Sequence, residues 1–481
     1  MNPQFEYSYL ELPPILYSKV KPEPISSPTL ILFNKSLARK MGWEVSNPQD
    51  YTLLLSGQDA EVARHCFAQA YAGHQFGHFT VLGDGRACML GEVVDPNGNR
   101  LDIQLKGSGK TPYSRSGDGK ATLKAMLREY LMSETLFYLG IPTSRSLSVV
   151  VTGEVVQREK LHHGAILARV MKSHIRIGTF EFARFLGSDP QNLQILLDYT
   201  LKRLYPELLP SSEPALDLLK KMAEMLSQRV VDWMRVGFIH GVLNTDNIAL
   251  SSETFDYGPC AFMNTYDPNT VFSSIDSHGR YAFAKQPEIM HWNLAQLANA
   301  LLPLIDPNTG SAVEKAQDVL NSFNSLYTNQ WYAMMMNKVG IKPGNNPKAY
   351  KLIDDLLQLM HQHNMDYTLT FASFRNDVEP DMEFLNPEPL KGWNVNRNAL
   401  LDQMGETPEE QQKRIRVSNP LLIARNLHVE KALDEASEGD FKRFNALLNA
   451  LSNPYEFSPN TRDFMFFNPA YDRQYQTFCG T

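Results

Sequence analysis

The chain has 481 residues, 43% hydrophobic and 21% charged, a composition that fits a folded globular protein and excludes disordered, collagen-like and coiled-coil chains. Forty-six basic against 53 acidic side chains leave a formal charge of −7, so there is no general electrostatic reason to bind nucleic acid or an anionic membrane, and any phosphate-binding surface has to be local. Four cysteines (Cys66, Cys88, Cys260, Cys479) stand at no metal-type spacing, and no export signal or bilayer-length apolar run is visible, so a cytoplasmic protein without nucleic-acid or membrane partners is expected.

Residues 1–60 alternate proline-containing loops with short apolar pieces. From residue 67 to about 158 the texture is strand-like and rich in glycine, interrupted by one helix over 118–139, where Leu123, Leu127, Tyr130, Leu131 and Phe137 recur at helical spacing. After about residue 190 the pattern turns helical, with helices expected over 216–235, 289–305, 312–332, 350–362 and 407–416. Strands followed by helices predict an α+β, bilobal, protein-kinase-like fold. Residues 1–160 form the β-rich N-terminal lobe with its extension, and residues 161–481 the enlarged helical lobe. The cleft between the lobes is the expected site.

Two apparent motifs fail. Lys106 to Thr111 ends in Gly-Lys-Thr like a P-loop, but Gln104 stands where its first glycine belongs, and Pro112, Gly117 and Gly119 prevent a following helix. His74 and His78 have the i, i+4 spacing of a zinc protease, but Gln75 replaces the catalytic glutamate, and Gly73 and Gly77 indicate a loop.

A kinase-type constellation survives these tests. It needs a glycine turn over phosphates, a strand lysine, a helix glutamate and metal ligands on the second lobe. Gly83, Gly85 and Arg86 lie in a tight turn between strands; Lys106 ends the strand 101–106; Glu129 lies on the next helix, at whose start Asp118 and Gly119 offer free N–H groups to an anion. Arg169 and Arg176 add positive charge in an amount that fits a polyphosphate. In the second lobe, His240 through Asn247 match a kinase catalytic loop at histidine, leucine and asparagine. A short hairpin over 248–250 is expected next, and then Asp256-Tyr257-Gly258 in place of Asp-Phe-Gly. Asn247 and Asp256 are the candidate metal ligands. Val242 occupies the position of the kinase base, which puts ordinary phosphotransfer in doubt, and Asp246 is the nearest carboxylate.

On these residues, and on the stretches YAGHQFGHF (71–79), LGDGRA (82–87), LKGSGKTPYSRSGDGKA (105–121), HGVLNTDN (240–247), DYGP (256–259), QPEIMHWNLAQLA (286–298) and NPLLIARNLHVEKAL (419–433), the sequence resembles the selenoprotein O family of pseudokinase-fold protein adenylyltransferases, called YdiU in bacteria. The resemblance implies transfer of AMP from ATP to Ser, Thr or Tyr hydroxyls of proteins, with release of pyrophosphate and with UTP as a further nucleotide. It implies that Gly83, Gly85, Arg86, Lys106, Asp118, Gly119, Arg169, Arg176 and Asp256 contact the nucleotide, with Lys106 tied to Glu129. It further implies that Asn247 and Asp256 bind Mg²⁺ or Mn²⁺ and that Asp246 accepts the proton. Alternatives left open by the residues alone are an atypical phosphotransferase and a silent nucleotide-binding module. Cys479 looks like the sulfur counterpart of a selenocysteine that some animal members carry near this end, with a redox bond to a thiol such as Cys260 as a hypothesis.

Overall fold

Side-chain alternation along the strands decides which groups face the cleft. The computed structural model describes residues 3–187, 189–377 and 388–478. Its N-terminal part is an eight-stranded antiparallel sheet of β1 (Tyr17–Lys19), β2 (Thr29–Phe33), β3 (Phe67–Gln75), β4 (His78–Gly83), β5 (Ala87–Val94), β6 (Arg100–Lys106), β7 (Arg145–Gln157) and β8 (Leu161–Met171). The spatial order is β1-β3-β5-β6-β8-β7-β2, with β4 paired to β3. In β6, Ile103 and Leu105 enter the outer apolar cluster, while Asp102, Gln104 and Lys106 lie on the opposite face. In β8, Ile166, Ala168 and Val170 join the same cluster and Arg169 points the other way. That outer cluster is closed by α1 (Lys35–Lys40) and α2 (Thr52–Leu55), which contribute Leu37, Ala38, Leu54 and Leu55, and by α3 (Ala60–Ala63), whose partly buried Val62 packs against it.

Against the inner face packs α4 (Leu123–Tyr138), which buries Leu127, Leu131 and Leu136 with Val149 and Leu167. It starts five residues later than the periodicity predicts, capped by Thr122, because Gly119 at φ 70 breaks the chain direction before it. The sheet continues to Met171. A boundary at 160 falls in the turn between β7 and β8, which are antiparallel neighbours.

The remainder is helical: α5 (Ile177–Phe185), α6 (Gln191–Leu204), α7 (Pro214–Arg235), α8 (Gln286–Ile305), α9 (Thr309–Lys338), α10 (Pro347–Gln362), α11 (Tyr367–Ala372), α12 (Glu388–Met404), α13 (Pro408–Ser418), α14 (Asn426–Ser437), α15 (Lys442–Leu451), α16 (Pro459–Met465) and α17 (Pro469–Asp472). A two-stranded ribbon, β9 (Phe238–Ile239) with β10 (Ala261–Phe262), holds the segment between α7 and α8. Helix α7 carries the predicted apolar stripe: Leu218, Leu219, Met222, Leu226, Val230 and Trp233 are buried, and Gly237 at φ 73 ends the turn. The hairpin expected over 248–250 is absent. Its backbone bonds go to the start of α5, from Ile177 N to Ile248 O (2.9 Å) and from Leu250 N to Ile175 O (2.8 Å). This β-rich part followed by a helical part is the expected α+β, kinase-like division. Arg203 on α6 joins the two, reaching Glu92 of β5 (2.8 Å) and Asp102 of β6. Among the described residues, no helix is long and apolar enough to cross a membrane. Cys260 is buried, and burial pushes its thiol up to about 12; Cys479 lies outside the described residues.

Candidate active site

Four elements bring charge to one wall of the cleft. Lys106, at the end of β6, hydrogen-bonds both Glu129 of α4 and Asp256 of the second lobe. Arg169 stands opposite Gln104 in register. Its Nε donates to Gln104 Oε1 (2.8 Å), and its Nη1 lies 3.5 Å from Asp256 Oδ1 and 4.0 Å from Glu129 Oε2. Lys106, Glu129 and Arg169 are buried, whereas the Asp256 side chain keeps 34% of its surface. Two cations and two carboxylates balance, which is what makes their burial tolerable. Burial alone would raise the Asp256 carboxyl, but Lys106 and then Arg169 outweigh it and hold the group well below the usual carboxylate range. Asp256 sits at φ 70, a conformation rare for a residue with a side chain and characteristic of functional positions.

Arg128, beside Glu129 on α4, donates Nε to Gly258 O (3.2 Å) and Nη2 to Cys260 O (2.6 Å). One helix therefore fixes both the strand lysine and the segment that carries Asp256.

The loop 240–247 is held by its backbone. His240 is buried and donates Nε2 to Phe255 O (3.0 Å); a carbonyl accepts only, which fixes that tautomer. Gln286 at the start of α8 accepts from His240 N (3.1 Å) and donates to Phe238 O (3.0 Å), and Asn293 donates to Leu243 O (2.9 Å). These bonds explain two polar residues of the helix 286–305, Gln286 and Asn293. Asn247 donates Nδ2 to Val242 O (3.2 Å), which leaves its Oδ1 to face elsewhere.

Asp246 is buried, and its Oδ1 has no hydrogen-bond partner. Burial, against the pull of Arg176, pushes its carboxyl up to about 7. It packs where only glycines fit: a Cβ on Gly73 would lie 2.4 Å from its Oδ1, and one on Gly178 would lie 1.9 Å from Ala72 O and 3.4 Å from Asp246 Cα. Arg176, the residue before α5, donates Nη1 to Asp246 O (3.2 Å), places Nη2 3.6 Å from Asp84 Oδ1 and stacks 4.0 Å over Tyr71.

The glycine turn is fastened to the loop that follows β6. A Cβ on Gly83 would meet the Tyr113 ring at 2.3 Å, Thr111 donates to Asp84 O (2.7 Å), and Gly107 N donates to Arg86 O (2.7 Å). Arg86 therefore borders the end of β6, and Gly83 and Gly85 border the Tyr113–Ser114 loop beyond it. Asp118 and Gly119 stand before α4, not at its first turn. Asp118 pairs with Arg158 (2.8 Å), and Gly119 O accepts from Gly109 N (3.1 Å), which lays this segment along the residues directly after Lys106.

Residue spacing missed several members. Asp84 is buried and accepts from Gln69 N (3.0 Å) and Gln104 Nε2 (3.1 Å). His74 lies in strand β3, not in a loop; its amide donates to Thr245 Oγ1 (2.8 Å) and its Nδ1 is 2.6 Å from Glu181 Oε1. Burial favours the uncharged form of both, pushing Glu181 up to about 7 and His74 down. The one available signal was a glutamate set between Phe180 and Phe182 in α5.

Residues 1–452 match the family described as Protein adenylyltransferase SelO. The chain belongs to that family. Relatives include proteins named Protein nucleotidyltransferase YdiU from Brevibacillus brevis, 46% identical with 99% of this chain and 97% of that one covered, and from Pelagibacter ubique, 45% identical with 99% of each covered. The chain is thus a protein nucleotidyltransferase, an enzyme whose substrates are a nucleotide and a protein. Among solved structures it is similar to ROP2 from Toxoplasma gondii, a virulence factor with a protein-kinase fold and no enzymatic activity, at 10% identity and a TM-score of 0.24 over 70% of this chain and 88% of that one. So low a score adds no weight to the kinase-like description, which rests on the strand lysine, helix glutamate and loop aspartate of this chain.

Proposed function

We propose that the cleft transfers AMP from ATP, or UMP from UTP, to Ser, Thr or Tyr hydroxyls of proteins and releases pyrophosphate. The observation that carries this reading is the pairing of the Lys106–Glu129–Asp256–Arg169 cluster with a loop that has Val242 in place of a base and, at Asp246, a buried carboxylate whose Oδ1 has no hydrogen-bond partner. The attacking hydroxyl oxygen forms a bond to the α-phosphorus, the bond from that phosphorus to the bridging oxygen breaks, and pyrophosphate leaves. Asp246 takes the hydroxyl proton. Lys106, Arg86, Arg169 and Arg176 stabilise the charge that gathers on the leaving group, and Gly83, Gly85, Asp118 and Gly119 line its approach. Glu129 keeps Lys106 in place.

Asn247 and Asp256 supply hard oxygen donors, a set that suits Mg²⁺ or Mn²⁺. Asn247 has its amide nitrogen committed to Val242 and its oxygen available, and Asp256 is partly exposed. Such an ion would polarise the phosphates.

The test is incubation with Mg²⁺ or Mn²⁺ and ATP labelled at either the α or the γ phosphate. Protein-bound α label is the expected result. Protein-bound γ label alone indicates a phosphotransferase, and no label in protein indicates a silent nucleotide-binding module.

A further inference from the structure

Beside the loop 240–247 lies a cavity of about 570 Å³ that neither the nucleotide contacts nor the metal ligands use. Phe76 and His78 at the tip of the β3–β4 hairpin form one side; Ile275, His278 and Arg280 from the segment after β10 form the other. Lys285 and Glu288 close it at the start of α8. The wall of the groove is bonded to the loop 240–247. Asn244, two residues before Asp246, accepts hydrogen bonds from Phe76 N (3.2 Å) and from Tyr281 OH (2.5 Å), and the Phe76 and Tyr281 rings pack at 5.3 Å. The wall that supports the catalytic loop is therefore also the inner wall of the groove.

The groove is lined by two carboxylates, Asp276 and Glu288, and two cations, Arg280 and Lys285, and what distinguishes them is which are already engaged. Asp276 is spent on its own turn, accepting from Arg280 N and Tyr281 N (both 2.8 Å). Glu288 is then the one carboxylate left among the lining residues. Against it stand Lys285, exposed and in no ion pair among the described residues, and Arg280, whose guanidinium lies 4.9 Å over Trp292 and whose buried Nε has no acceptor. Ile275 adds an apolar contact, 53% exposed.

We propose that this groove docks the protein substrate as a segment carrying Asp or Glu near its acceptor hydroxyl, with Arg280 and Lys285 reading the acidic side chain. The proposal rests on the transfer reading above, and the same experiment separates the two. Synthetic peptides with one acceptor hydroxyl and either Asp/Glu or Lys/Arg flanks are incubated with α-labelled ATP and Mn²⁺, using the parent protein, Lys285→Glu, Arg280→Gln and the charge-matched control Lys351→Glu on the exposed face of α10.

The parent labels acidic-flanked peptides about tenfold faster, the scale of one charge-assisted hydrogen bond. Lys285→Glu and Arg280→Gln raise the KM for the acidic peptide with kcat retained, and they reduce or invert the preference, while Lys351→Glu behaves as the parent. In Lys285→Glu, the affinity for a displaceable fluorescent nucleotide stays at the parent value. Equal labelling of the two peptide sets, a Lys285→Glu ratio that tracks Lys351→Glu, or a parent that labels itself but neither peptide each overturns the docking proposal. Absence of α label from every protein and peptide overturns the transfer reading, and docking with it.

Discussion

Asp256 is the residue on which the two halves of the site meet, because its carboxylate is the one partner that Lys106 and Arg169 share across the cleft. Asp256→Ala should reduce protein labelling by at least about 10³-fold, since positioning and charge stabilisation carry this kind of transfer; a folded variant with parental α-label incorporation defeats the assignment. Asp246→Asn should lower kcat by about 10²-fold and leave nucleotide affinity intact, the size expected for one general base. Glu181 supplies a prediction in pH. Its carboxyl is raised from an ordinary 4.5 to about 7, so between those values the folded chain binds more protons than the unfolded one, and stability falls as pH rises through that window. Chemical denaturation of metal-free protein at pH 5 and pH 7.5 should show this loss, and Glu181→Gln should flatten it by about 1.4 kcal/mol per pH unit.

At the scale of elements, the site depends on how closely α5 approaches β3 beneath the catalytic loop. Gly178→Ala would drive a methyl into Ala72 O and should destabilise the protein by about 2 kcal/mol while lowering activity. Gly392→Ala in α12, where a Cβ meets nothing, should stabilise it by about 0.5–1 kcal/mol, and paired denaturation curves compare the two. This level also separates what was legible in the sequence from what was not. Helices with a strong apolar stripe and clear stops, such as α7 and α10, could be read to within a few residues. The meeting of Lys106 with Glu129 and Asp256 was legible because a kinase-type arrangement demands a fixed order along the chain. Asp84, His74 and Glu181 were not, because their importance comes from burial and from partners 20 to more than 100 residues away, which neither periodicity nor spacing encodes. The hairpin expected after Asn247 failed for a related reason. Its backbone groups satisfy α5, a tertiary partner that local turn chemistry cannot reveal.

For the molecule as a whole, Arg203 couples the sheet to the helices through two buried carboxylates. Arg203→Met should cost about 3 kcal/mol in urea unfolding because it leaves Glu92 and Asp102 short of a cation. A second long-range contact binds the region after Asp256. Thr477 donates Oγ1 to Pro259 O (2.7 Å) across 218 residues, donates its amide to Phe272 O (2.8 Å) and accepts from Ser274 N (3.0 Å). Protein synthesis runs from the amino end, so the sheet, Lys106 and Glu129 can assemble on a nascent chain, whereas the lining beside Asp256 waits for a residue made far later. A translating chain can therefore fold the sheet and pair Lys106 with Glu129 early, whereas Pro259, Phe272 and Ser274 gain these partners only once residue 477 has been made.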